Sequence, residues 1–253
     1  MILGVCHISN AALFTLPVLD PTQIEPIFDV LASTVVFRSL EPPSQSKTFN
    51  IWFNARVSGT SASALSSILS SDTAVLPFGN LQGGVNGPFG LGIELGFFPR
   101  QSISGSSFGS FGGNLKWNFT SVLFRKFPFD SAIRFLYTSA DLNFQQTISD
   151  QAITVEYDTT MTGVTVDISK NLGFFEPYVG YGMIRHSSSL TGHGTVSLFN
   201  VNFPVNTNTV ENSASSGWLR AGCELRLILL TLGAQYDYAF GAGTTSVKLG
   251  FKF

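Results

Sequence analysis

The chain has 253 residues, of which 44% are hydrophobic and only 12% charged, with 24 Phe, 25 Gly and a formal net charge of -2. A soluble globular domain carries about 25% charged residues, so much of this surface is built for something other than water, and the lack of a basic excess gives no support to nucleic acid as a partner. No stretch supplies the roughly 20 consecutive apolar residues of a membrane-spanning helix. That leaves a soluble β-sandwich with a large core or a transmembrane β-barrel, whose strands alternate rather than peak in hydropathy.

Residues 1–16, opening "MILGVCHISNAALF", are apolar but lack the basic region that begins a secretory signal. They read as a signal remnant or a disordered arm, and His7 falls within them. Cys6 and Cys223 are the only cysteines. Neither lies in a metal-ligand spacing, and their positions do not favour a structural disulfide. No cofactor is expected.

Residues 17–48 hold a helix and an extended segment. In "DPTQIEPIFDVLAST", Ile24, Ile27, Phe28 and Leu31 recur at helical spacing, and Asp20 or Thr22 could cap the start. From Thr34 to Leu40 the period shortens to two, so this stretch either adds to a sheet or packs elsewhere.

Residues 49–253 read as a barrel. Strands alternate cleanly: Phe49, Ile51, Phe53, Ala55 and Val57 against Asn50, Trp52, Asn54 and Arg56; Leu91, Ile93, Leu95 and Phe97 against Gly90, Gly92, Glu94 and Gly96. Leu219, Ala221, Cys223, Leu225 and Leu227 oppose Arg220, Gly222, Glu224 and Arg226, and Leu232, Ala234, Tyr236, Tyr238 and Phe240 oppose Gly233, Gln235 and Asp237. One face is nearly pure apolar residue, as lipid demands. The other mixes glycine with single charges: Glu94, Lys116, Arg134, Asp167, Arg220, Glu224, Arg226 and Asp237, with Lys248 and Lys252 near the end. Small residues and opposite charges suit a narrow closed lumen into which all strands project, and backbone in lipid must be fully paired. The fold class is therefore all-β, a transmembrane antiparallel up-and-down β-barrel of about ten strands (range roughly 8–12) behind a short helix. Its lumen charges form either a neutral plug, the default for a barrel this small, or the lining of a narrow polar path. Trp52, Trp117, Trp218, Tyr178, Tyr236 and Tyr238 are expected at the membrane interfaces.

Connections alternate in length. Compact turns at "NGPFG", "RKFPFD", "NLGFFEP" and "ILLTL" interleave with longer polar loops at "SGTSASALSSILSSD", "PRQSISGSS", "NFQQTISDQ" and the stretch after "IRH", while "AFGAGT" joins the last two strands. The chain closes on Val247, Leu249, Phe251 and Phe253, sharing one face.

That ending, "VKLGFKF", resembles the C-terminal strand by which Gram-negative outer-membrane barrels are recognised by their assembly machinery, and "FFEPYVGYGM" resembles a strand of small outer-membrane barrels. The order of "VVFRSLEPP", "LPFG", "GGNLKW" and "LGFKF" is similar to that of an uncharacterised family of proteobacterial outer-membrane barrel proteins. The resemblance covers most of the chain and implies a fold and an outer-membrane location, with lipids and the barrel-assembly machinery as partners. It brings no catalytic residues, and the sequence departs from it in lacking a clear signal peptide.

Chemistry is sparse. Gly83 and Gly112 begin glycine pairs, but no phosphate-binding loop surrounds them; they read as room for lumen packing. His193 sits at a Gly-flanked loop tip. His186, followed by Ser187, Ser188 and Ser189, ends a strand where hydrolytic outer-membrane barrels keep a Ser–His site, yet no neighbouring strand offers an acid to orient the ring. The expected function is a structural or binding role without catalysis. A narrow porin-like channel is the alternative, and a hydrolase using His186 and a nearby Ser is a distant third.

Overall fold

The computed structural model describes residues 21–44, 49–61, 75–103, 106–124, 127–148, 151–198, 201–206 and 209–253. The apolar arm of residues 1–16 lies outside them. The barrel is a closed ring of ten antiparallel strands. In chain order these are β1 (Asn50–Ser61), β2 (Val75–Asn86), β3 (Leu91–Ile103), β4 (Ser106–Asn118), β5 (Asp130–Ile148), β6 (Gln151–Ser169), β7 (Phe175–Leu198), β9 (Val210–Leu227), β10 (Leu230–Ala239) and β11 (Ala242–Lys252). The remaining strand, β8 (Val201–Asn206), pairs only with the far end of β7, from His193 to Leu198, and forms a hairpin beyond the ring. Pairing of β1 with β11 closes the barrel from Trp52↔Lys252 to Thr60↔Thr244. Phe253 fastens the seam further, its N–H donating to the Ile51 carbonyl at 2.8 Å and its own carbonyl accepting from Ile51 at 3.2 Å.

Alternation sets which face each residue takes. Phe53, Val57, Leu95, Phe111, Leu115, Phe135, Leu219, Val247, Leu249, Phe251 and Phe253 are all exposed on the outside, whereas Asn54, Arg56, Glu94, Lys116, Arg134, Arg220 and Lys248 are buried within. An exposed apolar belt around a polar interior is the inverse of a soluble barrel and is what lipid requires.

The two ends differ. At one, the turn end, sit Asn50, Lys252 and the compact connections: a 3-10 turn at Pro88–Gly90, the short helix α2 (Thr120–Leu123), residues 170–174, and the hairpin at Ile228, which takes φ 59. At the opposite, loop end, the expected polar loops are largely strand. β5 and β6 stay paired from Asp130↔Ser169 out to Ile148↔Gln151, and the long stretch after His186 continues β7, turns through β8 and returns as β9. Thr and Val favour extended pairing, so a polar composition in these stretches is compatible with strand. The connection of residues 62–74 lies outside the described residues.

α1 (Pro21–Val35) does not lie beside the barrel but inside it. Ile27, Phe28, Val30, Ala32 and Val35 are buried, and so are Ser33 and Thr34, because the wall surrounds the helix on all sides. Pro26 falls within it. Residues 36–44, expected in part to alternate like a strand, leave the helix as unpaired extended chain that runs down the lumen to the turn end. Their two-residue period reflects burial on every side rather than a place in the sheet.

Candidate functional site

The lumen is the only part of the described barrel where polar side chains converge, and the N-terminal segment divides it into two layers. Toward the loop end the layer is apolar. Ala32, Val35 and Val36 pack on Phe78, Leu136, Met161, Ile184, Trp218 and Phe240, and Phe28 meets Tyr157 with ring centroids 5.8 Å apart. Trp218 belongs to this layer, and it, Trp52 and Tyr178 point inward at 1%, 1% and 3% exposure rather than into the interfacial girdles expected of them. Their polar atoms explain two of the three: Trp218 Nε1 donates to Asp237 at 3.0 Å and the Tyr178 hydroxyl to Gln235 at 2.6 Å. Trp117, Tyr236 and Tyr238 do face outward. Phe240 also departs from its expected outward position. With φ 50 at Phe240 and 71 at Gly241 the hairpin takes a primed turn, which rotates the Phe240 ring over the lumen.

Toward the turn end the layer is ionic. Arg134 bridges Glu94 (2.8 Å) and Asp167 (2.6 Å), Lys116 stands 3.9 Å from Glu94, and Arg220 stands 3.6 Å from Asp167. Arg226 pairs with Glu224 at 2.7 Å and with Glu176, and Asp237 takes Arg38 at 3.4 Å. All eight residues singled out as lumen charges lie in this layer, as do Lys248 and Lys252, in three ion-paired groups linked through Gln235 and the Glu41 carbonyl, and the structure adds Arg38, Glu41 and Glu176. The additions have a common origin. Arg38 and Glu41 come from the threaded segment, and Glu176 turns toward it.

The segment is held at every step. Phe37 N–H donates to Thr138 Oγ1 (2.9 Å), and the Phe37 side chain fills space that a side chain at Gly96 or Gly112 would take, since a Cβ there would come within 2.7 Å of its ring and 2.8 Å of its Cβ, respectively. Arg134 donates to Ser39 Oγ (2.8 Å) and to the Glu41 carbonyl, and Arg220 to the Ser39 carbonyl. The Glu41 carboxylate accepts from Lys248 and, at 3.2 Å, from Lys252. Ser44 bonds Glu176, and Asn118 donates to the Pro43 carbonyl at 2.9 Å. Burial alone would raise the Glu41 carboxyl, but the ammonium groups of Lys248 and Lys252 outweigh it and hold it well below the ordinary carboxylate range. Buried charges this numerous persist only because each meets an opposite charge or a hydrogen bond.

His186, the residue considered for hydrolysis, is fully buried at the loop-end layer. Its Nδ1 lies 2.9 Å from Ser188 Oγ and its Nε2 lies 3.0 Å from Asp29 Oδ1. The acid missing from the neighbouring strands is supplied by α1, across 157 positions of sequence. Ser188 Oγ is also 2.7 Å from Thr159 Oγ1 and 3.3 Å from the Tyr157 hydroxyl, and the residue is 3% exposed. The relay joins helix to wall. His193 is exposed at the loop end, with Glu156 3.9 Å away.

The fold matches outer-membrane β-barrels of solved structure. The translocator domain of autotransporter NalP from Neisseria meningitidis aligns over 92% of this chain and 94% of that one at 11% identity, with a TM-score of 0.53. Ail, the attachment invasion locus protein of Yersinia pestis, aligns over 81% and 99% at 10% identity and a TM-score of 0.36. The outer membrane protease OmpT of Escherichia coli aligns over 85% and 100% at 8% identity and a TM-score of 0.41. No curated protein sequence matches the chain significantly. Residues 39–253, the barrel together with the lower part of its threaded segment, match a family described only as of unknown function, DUF6588, and the chain belongs to that family.

Proposed function

We propose that this protein is an integral protein of the bacterial outer membrane whose lumen is occluded by its own residues 21–44, serving a structural or binding role rather than passage or catalysis. The observation that carries this reading is the ionic layer. Arg38, Ser39, Glu41 and Ser44 engage seven charged side chains of the wall, so a path for solute would require breaking buried pairs. The exposed apolar belt and the likeness to outer-membrane barrels support the location. The assay is liposome swelling with small sugars and amino acids. Vesicles carrying folded protein should swell no faster than empty ones, and size-dependent swelling would instead favour a narrow channel.

A second reading has one specific observation behind it, the Ser188–His186–Asp29 relay, whose spacing is that of a nucleophile, a base and an orienting acid. Against it, Ser188 Oγ already has three partners and almost no exposure, so its lone pairs are committed to the wall. Ester hydrolysis by the purified protein that disappears in Ser188→Ala would establish the enzyme.

A further inference from the structure

The barrel wall is not uniformly sealed. β2 pairs with β3 only from Asn86↔Gly92 up to Leu81↔Phe97, although β2 continues to Val75 and β3 to Ile103. Above Leu81 the two strands follow their other neighbours: β2 remains on β1 through Ser61↔Val75, and β3 remains on β4 through Ile103↔Ser106 after a register shift between Phe98 and Gln101. Each diverging stretch carries a proline, Pro77 and Pro99. Proline cannot donate to a ladder and belongs at an unpaired strand edge. Where backbone bonds stop, side chains bridge the gap. Phe78 of β2 lies 6.0 Å from Phe98 of β3 and 5.7 Å from Phe108 of β4, and the last two are 5.3 Å apart.

These rings line a half-open cavity of about 440 Å³, within the range of ~300–1,000 Å³ typical of small-molecule sites. Leu31 and Val35 of α1, with Ala140, Leu142 and Tyr157 of the wall, line its inner side, and Val57 and Pro77, which face outward from the barrel, line its outer side. A cavity lined jointly by luminal and lipid-facing residues opens sideways. Leu81 and Phe97, exposed just below it, continue the apolar belt to its lip, and the exposed Arg100–Asp141 pair (3.0 Å) stands on the loop side, where a cationic head reaches the headgroups.

We propose that the seam between β2 and β3 admits one fatty-acyl chain from the loop-side leaflet into the apolar cavity between α1 and the wall. The bilayer is the source because the mouth lies on the lipid-facing side. A linear hydrocarbon fits because the lining is predominantly apolar, with Asp141 and Thr34 as its polar side chains, and the aromatic rings can part without breaking a ladder bond. The three rings act as the closure. This rests on the membrane location proposed above.

The test uses the full chain in phospholipid nanodiscs and palmitic acid bearing a terminal photoactivated diazirine, with adducts mapped by mass spectrometry. Adducts are expected on Phe98, Phe108, Leu142 or Tyr157 in addition to the outward Leu115 and Phe135. Unlabelled palmitate should suppress the first group at least tenfold and leave the second nearly unchanged, because only the cavity saturates. Ala140→Phe, which fills the cavity, should abolish the inner adducts and keep the outer ones. Outer labelling alone, or inner labelling that does not saturate, overturns the proposal while leaving the membrane location standing. No labelling of either group overturns both.

Discussion

Replacing Glu41 with Gln probes the threaded segment at its most heavily charged contact. The Glu41 carboxylate and the Lys248 ammonium are 2% and 0% exposed, and Lys252 reaches the same carboxylate from a side chain 16% exposed. Breaking a buried pair by removing one partner costs about 3–5 kcal/mol when the survivor is left alone. Here Lys248 keeps Glu224 and Lys252 can turn to water, so the loss should fall below that range, at roughly 2–3 kcal/mol. Urea unfolding in detergent micelles measures it, with the fluorescence of the luminal Trp52 and Trp218 as reporter. In a Lys248→Met background the same substitution should cost less, by a coupling of roughly 1–2 kcal/mol. The pH dependence has a definite sign. A carboxyl whose folded value is depressed contributes fully above its unfolded value, near 4.5, and the contribution erodes as pH falls from there toward the folded value. The gap between wild type and Glu41→Gln should therefore be constant above about pH 5.5 and narrow below pH 4.5. Equal stability of the two proteins at neutral pH would refute a segment anchored by this pair.

Gly112→Leu should force the Phe37 ring out of its place, costing roughly 1–3 kcal/mol by overpacking and exposing the segment to added protease, which limited proteolysis in detergent would detect. Leu95→Arg, on the exposed belt, should cost roughly 2–4 kcal/mol when refolded into bilayers if it lies near the midplane, and no loss in lipid would contradict the assigned face. His186→Ala should lower stability by roughly 1–3 kcal/mol by leaving Ser188 and Asp29 without their shared partner, while Ser188→Ala should leave any background esterase rate unchanged. Deletion of Phe253 should lower detergent refolding by at most roughly 1.5–3 kcal/mol for its side chain yet sharply reduce insertion in a Gram-negative host; equal behaviour in both settings would remove the terminal residue from assembly.

The barrel was legible in residues such as Leu91–Phe97 because lipid on one side and a closed lumen on the other impose opposite chemistries on successive positions. The inward position of Glu94 or Arg220 follows from the same rule. The rule failed where both environments favour the same residue types. Trp52, Trp218 and Tyr178 occupy luminal positions by parity, but aromatic identity points to the interface, and for Trp218 only the threaded helix supplies the apolar layer that it completes. Thr34–Leu40 alternates like a strand because it is enclosed on all sides. Asp29 and His186 meet only through that threading, so no local pattern could announce them. The seam had a visible trace, Pro77 and Pro99 in neighbouring strands, but its meaning needs the register, which shows that their pairing stops at Leu81↔Phe97.

Single-channel recording in planar bilayers reads out whether residues 21–44 close the lumen. The intact protein, inserted and folded, should leave the membrane electrically silent at moderate voltage, and the double variant Arg38→Met/Glu41→Gln, which removes both charges the segment places among the wall residues, should produce discrete conductance steps. Steady steps from the intact protein, unchanged in the double variant, would contradict a lumen closed by its own chain.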